Sequence, residues 1–217
     1  MISDYDRVVR QRNTLLKTRA PESSLAPWTE QLISLGAQLT AERIALVEKL
    51  NPYVTAHYAK LNEVKTASIA YKSSTDGLSA DSDSNVAILT EKQKEVAHNE
   101  SERGVSLVGP HRDDLHLHLG DFPAKGYASH GESWSMAIAL RIGSFTLLRD
   151  EGSSPILILD DIFAELDTAR RAQLVAITHL AEQTFITAAV ESDLPADLLT
   201  ERFYVTPGKV SHEAGGA

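Results

Sequence analysis

The sequence contains no cysteine, which excludes disulfides and thiolate metal sites and is compatible with a cytoplasmic protein. No apolar stretch approaches the roughly 20 residues of a membrane helix, and the N-terminus lacks the apolar core of a signal peptide, so no membrane association is expected. Positive charge is scarce: 21 Lys and Arg stand against 30 Asp and Glu, for a net charge of −9. Residues 1–100 carry 12 basic and 13 acidic side chains, and residues 101–217 carry 9 and 17. Bulk charge therefore leaves no nucleic-acid footprint. The local exception is the first twenty residues, where Arg7, Arg10, Arg12, Lys17 and Arg19 outnumber Asp4 and Asp6. Such a cluster reads either as a solvated helix face or as a face for DNA. Also absent are internal repeats, a histidine spacing of the HExxH kind, and any G-x-x-x-x-G-K-[ST] loop, whose amides and lysine cradle nucleotide phosphates.

What is present is an ordinary globular composition, 42% hydrophobic over 217 residues, enough for one large domain or two small ones. Trp28, Leu32, Leu35, Leu39, Leu46 and Leu50 form a helical stripe, with Pro27 expected to start that helix and Pro52 to stop it. Tyr53, His57, Tyr58 and Leu61 read as a second, shorter helix, and Ala67, Ile69 and Tyr71 as a half-buried strand. Residues 73–85 have the Ser, Asp and Gly content of an exposed loop, and 90–103 is a polar helix. From Gly104 the character changes. "GVSLVG" (104–109) and the alternating Leu115, Leu117 and Leu119 read as strands, and 132–148 as a buried helix. Ile156–Leu159, 184–190 and 203–205 are further strands, with a helix at 168–182 between the first two. Strand, helix, strand at these lengths predicts parallel βαβ packing. The expected organisation is α/β, with a mainly helical lobe over 1–100 and an α/β lobe over 101–217.

The strand Ile156–Leu159 runs into Asp160 and Asp161, and the acid pattern repeats at Glu165 and Asp167. In a parallel sheet, ligands gather at the carboxyl ends of strands. An acid there suits a Mg²⁺ ion beside phosphates, and a second carboxylate suits an attacking water. The plainer alternative is an aspartate capping the next segment. In "ASHGESW" (128–134), Ser129 with Glu132 three places on is a capping box. The functional alternative is that Ser129, Gly131 and the first amides of the helix face a phosphate.

Taken together, in order and about thirty residues apart, these two stretches resemble the ABC-type ATPases of chromosome maintenance, and within them the RecF family of recombination mediators. Ser129-His130-Gly131-Glu132 resembles the signature motif, Ile156–Asp161 the Walker B strand, and Ala164-Glu165-Leu166-Asp167 the D-loop. "RVVRQRNTLLK" (7–17) and "GVSLVGPHRDDLHLHL" (104–119) extend the resemblance. Glu132 stands where many relatives have Gln, and Asp161 where most ABC enzymes have Glu. The switch position, usually His in ABC transporters, falls near Thr187.

The resemblance implies an ABC-type P-loop ATPase head represented by its C-terminal part, without the Walker A loop and inactive alone. It implies ATP and Mg²⁺ as cofactors, with Asp160 at the metal, Asp161 catalytic, and Ser129, Gly131, Glu132, Asp167 and Thr187 at the nucleotide. Further implications are an ATP-dependent homodimer clamping DNA at single-strand/double-strand junctions, action in replication, repair and the SOS response, and RecR and RecO as partners. Arg7, Arg10, Arg12 and Arg112 are candidate DNA contacts, with a structural turn held by Asp113 and Asp114 the alternative at Arg112. Two other functions compete: a non-catalytic DNA- or protein-interaction module, favoured by the missing loop, and a Toprim-like Mg²⁺-dependent phosphohydrolase, disfavoured because Asp160 and Asp161 are adjacent.

Overall fold

The structure, a computed structural model, describes residues 1–62, 64–163, 168–195, 198 and 201–213. These residues form two compact units, Met1–Gly143 and Ser144–Ala217. The division falls inside a long helix, not near residue 100. Strands from either side of residue 100 pair with one another in the first unit.

The first unit is built on three long helices, α1 (Ile2–Lys17), α2 (Glu22–Leu61) and α3 (Ser82–Arg103). One face of α2 packs Leu32 and Leu39 with Tyr5 and Val8 of α1, and Ala37 packs with Leu89 of α3 and Val108. Neither proline bounds α2. Pro27 and Pro52 both lie inside it, so the two helices read from the sequence are one. An interior proline costs about 3 kcal/mol, and buried residues on both sides of Pro52, from Leu32–Ala41 to Val54–Leu61, outweigh that cost.

The helix is also stapled to the first strand beside the proline. Asn51 Oδ1 accepts from the Ile69 amide at 2.8 Å, and the Thr55 hydroxyl donates to the Ala67 carbonyl at 2.8 Å. Strand β1 (Ala67–Lys72) pairs antiparallel with β2 (Asp114–Leu119), which pairs with the short β3 (Phe122–Pro123). The outer edge of β1 thus gives hydrogen bonds to helix side chains instead of standing open.

The exposed loop is shorter than read from composition. Asp81 caps α3 through the Asp83 amide, and left-handed Gly104 ends it. The expected strand "GVSLVG" is absent. Two of its amides are taken by side chains: Ser106 N bonds Asn13 Oδ1 at 2.7 Å, and Leu107 N bonds Glu100 Oε1 at 2.6 Å.

After α4 (Ala124–Tyr127), α5 (His130–Asp150) completes the first unit and enters the second. There β4 (Leu157–Asp160), α6 (Thr168–Thr178) and β5 (Thr184–Thr187) make the expected crossover, with β4 and β5 parallel and Asp160 opposite Thr187. Leu157 and Leu159 are buried while Ile158 is exposed, the alternation of a strand covered on one face. A hairpin of β6 (Arg202–Thr206) and β7 (Lys209–Glu213) follows. No described helix is long and apolar enough to cross a membrane.

Candidate functional site

Strand β4 delivers Asp160 at its carboxyl end, and the chain then turns out of the strand at Asp161, which is left-handed with φ 50°. Aspartate tolerates this region better than most residues, though not freely. The conformation is held by Thr187 at the matching end of β5. The Asp161 amide donates to the Thr187 carbonyl at 3.2 Å and to its hydroxyl oxygen at 3.1 Å. That hydroxyl in turn donates to the Asp160 carboxylate. One threonine therefore fixes both aspartates.

Both carboxylates are exposed. Strained non-glycine residues that the surroundings over-determine collect at functional sites, and this feature was invisible in the sequence. The donor set suits Mg²⁺, which takes oxygen ligands and is commonly held by one or two carboxylates completed by water and substrate phosphates. Among the described residues there is no group of three or more potential metal ligands, so the remaining ligands would have to come from such a source. Asp167, with the rest of 164–167, lies outside the described residues.

In the first unit, the start of α5 is a reciprocal capping box. The Ser129 amide donates to Glu132 Oε2 at 2.8 Å, and the Glu132 amide donates to Ser129 Oγ at 3.3 Å. The two readings of this stretch are compatible, because a serine hydroxyl that accepts a bond still has its own proton to give. Ser129 is exposed and Gly131 is the second residue of the helix. Glu132 is not free. Its other oxygen, Oε1, meets Lys65 Nζ at 2.7 Å. The Lys65 ammonium, with the Ser129 bonds, holds the Glu132 carboxyl at about 2, well below the ordinary carboxylate range. Lys65 was missed by sequence reasoning, since nothing near it in the chain marks it.

The candidate DNA residues separate sharply. Arg12 is 3% exposed. Its guanidinium is bonded to Glu100 Oε2 at 2.6 Å, Ser106 Oγ at 2.8 Å and Thr29 Oγ1 at 2.9 Å. Its charge is spent inside the fold, which corrects its place among the DNA contacts. Arg7 is exposed and bridges Asp4 at 3.2 Å. Arg10 and Arg112 are exposed.

The segment around Arg112 is otherwise an anchor. Gly109 has φ 119°, and a Cβ there would lie 2.3 Å from the Tyr5 hydroxyl. That hydroxyl bonds His111 Nδ1 at 2.7 Å, and His111 Nε2 reaches the Ser106 carbonyl at 3.2 Å. A carbonyl can only accept, so Nε2 carries the proton and Nδ1 accepts from Tyr5. Partial burial of the ring lowers the imidazole's proton affinity, which favours the neutral form. Asp113 accepts from the Tyr71 hydroxyl at 2.6 Å and the Ser74 amide at 2.7 Å. The guanidinium of Arg112 has no hydrogen-bond or ion-pair partner among the described residues.

No family model matches the chain. Over 96% of its residues it is 46% identical to the DNA replication and repair protein RecF of Streptomyces avermitilis, and it spans 59% of that relative. It is 42% identical over 96% of its residues to the protein of the same name from an Arthrobacter species, spanning 61% of it. Among solved structures it matches the recombination mediator protein RecF, described with ATP as part of the RecFOR pathway, with a TM-score of 0.83 over 98% of this chain and 57% of that one. At 24% identity, that likeness establishes the α/β fold.

Proposed function

We propose, from its 42% to 46% identity to RecF proteins over the 59% to 62% of their length that it spans, that the chain is the signature and Walker B portion of an ATP-dependent DNA clamp acting in replication and recombinational repair. In the intact protein two ATP molecules lie between two heads. Each is held by the phosphate loop and Asp160 of one subunit and by Ser129 and Gly131 of the other, with Asp167 of the D-loop nearby. Asp160 would hold Mg²⁺ together with the phosphates, and the ion would supply charge neutralisation at the transferred group. Asp161 orients the attacking water, and Thr187 keeps the two carboxylates in their separate roles. Arg7, Arg10 and Arg112 contribute the DNA surface. Clamping at single-strand/double-strand junctions, cooperation with RecR and RecO, a part in the SOS response and a cytoplasmic location complete the proposal.

The observation that carries this reading is the strand end itself, where left-handed Asp161 and Asp160 are both tied to Thr187. One observation favours a second reading. The 217 residues contain no phosphate-binding loop, as a non-catalytic interaction module would not need one. Calorimetry with Mg-ATP separates the two. The 217-residue chain is expected to give no heat of binding, and the same chain extended N-terminally by the phosphate-loop segment of a RecF relative is expected to bind ATP and dimerise. Micromolar binding by the chain alone, about −8 kcal/mol, contradicts a site split between two segments. An extended chain that folds but ignores ATP favours the interaction module.

A further inference from the structure

Glu132 presents a difficulty that the proposed role of Ser129 and Gly131 makes sharper. A carboxylate in the first turn of a helix is favourable for the helix dipole, but it repels an arriving phosphate. A glutamine there, the residue in many ABC-type relatives, makes the same capping bonds without charge. In this chain the charge has a counter-ion. Lys65, in the connection between α2 and β1, places Nζ 2.7 Å from Glu132 Oε1 while Oε2 stays on the Ser129 amide at 2.8 Å. The carboxylate is thus clamped between an ammonium and the backbone of the signature serine. Lys65 is 42% exposed and Glu132 16%, so the ammonium stands on the solvent side of the clamp.

We propose that Lys65 is a positioning residue of the signature helix: it neutralises Glu132 and holds it on the Ser129 amide, so that the start of α5 can face the triphosphate of a nucleotide bound by a second protomer. The inference rests on the proposed reading of Ser129 as a nucleotide contact. It predicts that the lysine matters because residue 132 is a glutamate, and that a glutamine at 132 removes the need for it.

Two measurements test this. In the 217-residue chain, side-chain carbon NMR follows the Glu132 carboxyl. Lys65→Met should raise its pKa from about 2 toward the ordinary value of 4.5 and shift the Ser129 amide resonance, and Lys65→Arg should restore both. A Glu132 that still titrates near 2 in Lys65→Met overturns the clamp. In the extended chain, sedimentation with ATP follows the dimer. Lys65→Met should weaken ATP-dependent dimerisation about fivefold, the upper scale of one charge at a helix start, with Lys65→Arg close to wild type. The double variant Lys65→Met/Glu132→Gln should recover most of the loss, which a merely structural lysine would not allow. Unchanged dimerisation in Lys65→Met, or a double variant as weak as the single, overturns the proposal. A wild-type extended chain that does not dimerise with ATP overturns the nucleotide role of Ser129, and the carboxyl titration still decides whether Lys65 holds Glu132.

Discussion

Arg12 with Glu100 in the first unit and Asp160 with Asp161 in the second are two clusters of charge that the fold treats oppositely. Arg12 and Glu100 are 3% and 0% exposed. Between them they bond Thr29, Ser106, Gln93 and the Leu107 amide, tying α1, α2, α3 and the 104–109 segment into one network. The aspartates are exposed, carry no counter-cation among the described residues, and owe their arrangement to one threonine. Buried charge that is fully bonded has no capacity left for a ligand. Exposed like charges held side by side, one of them in a strained backbone, are costly for the fold and available for chemistry.

The comparison breaks most visibly at Arg12. Arg12→Met leaves Glu100 buried without its cation and should cost about 3–5 kcal/mol, a large part of a domain's stability. Chemical denaturation of the 217-residue chain measures it, and Arg12→Met/Glu100→Leu should recover much of the loss. A small effect of the single variant would mean that the network is not the staple it looks like.

A smaller effect of opposite sign is expected at Asp161. Glycine accepts φ 50° without a Cβ, so Asp161→Gly should stabilise the chain by about 0.5–1 kcal/mol. A lower melting temperature would show that the side chain itself supports the turn. The smallest effect is at Arg10 and Arg112. Neither is spent within the fold, so Arg10→Ala and Arg112→Ala should each change stability by less than about 0.5 kcal/mol, while weakening binding of the extended chain to gapped DNA. A drop in stability comparable to that at Arg12 would move them to its class.

These contrasts also mark what the sequence could reveal. The β4–α6–β5 crossover was legible because its signals are local: four aliphatic residues, two acids, then a helix-length interval. The capping box at Ser129 was legible for the same reason. Arg12 was not, because its partners Glu100 and Ser106 lie at the far end of α3 and beyond. The run Arg7, Arg10, Arg12 looks uniform, and only α1's packing turns Arg12 inward. Pro52 misled because local propensity was overridden by packing and by the bonds of Asn51 and Thr55 to β1. "GVSLVG" misled because two of its amides found side chains before a neighbouring strand. Lys65 and Thr187 act through partners distant in sequence, so their contacts emerge only from the fold.

The central claim is that adjacent aspartates at the end of β4 divide metal and water between them. Single-turnover ATP hydrolysis and ATP binding by the extended chain test it most directly. Asp160→Ala should lose Mg-ATP affinity. Asp161→Asn should bind ATP and dimerise as wild type does while hydrolysis falls about 10²-fold or more, the scale of losing a positioned base. Equal loss of binding in both variants, or undiminished hydrolysis in Asp161→Asn, would contradict the account.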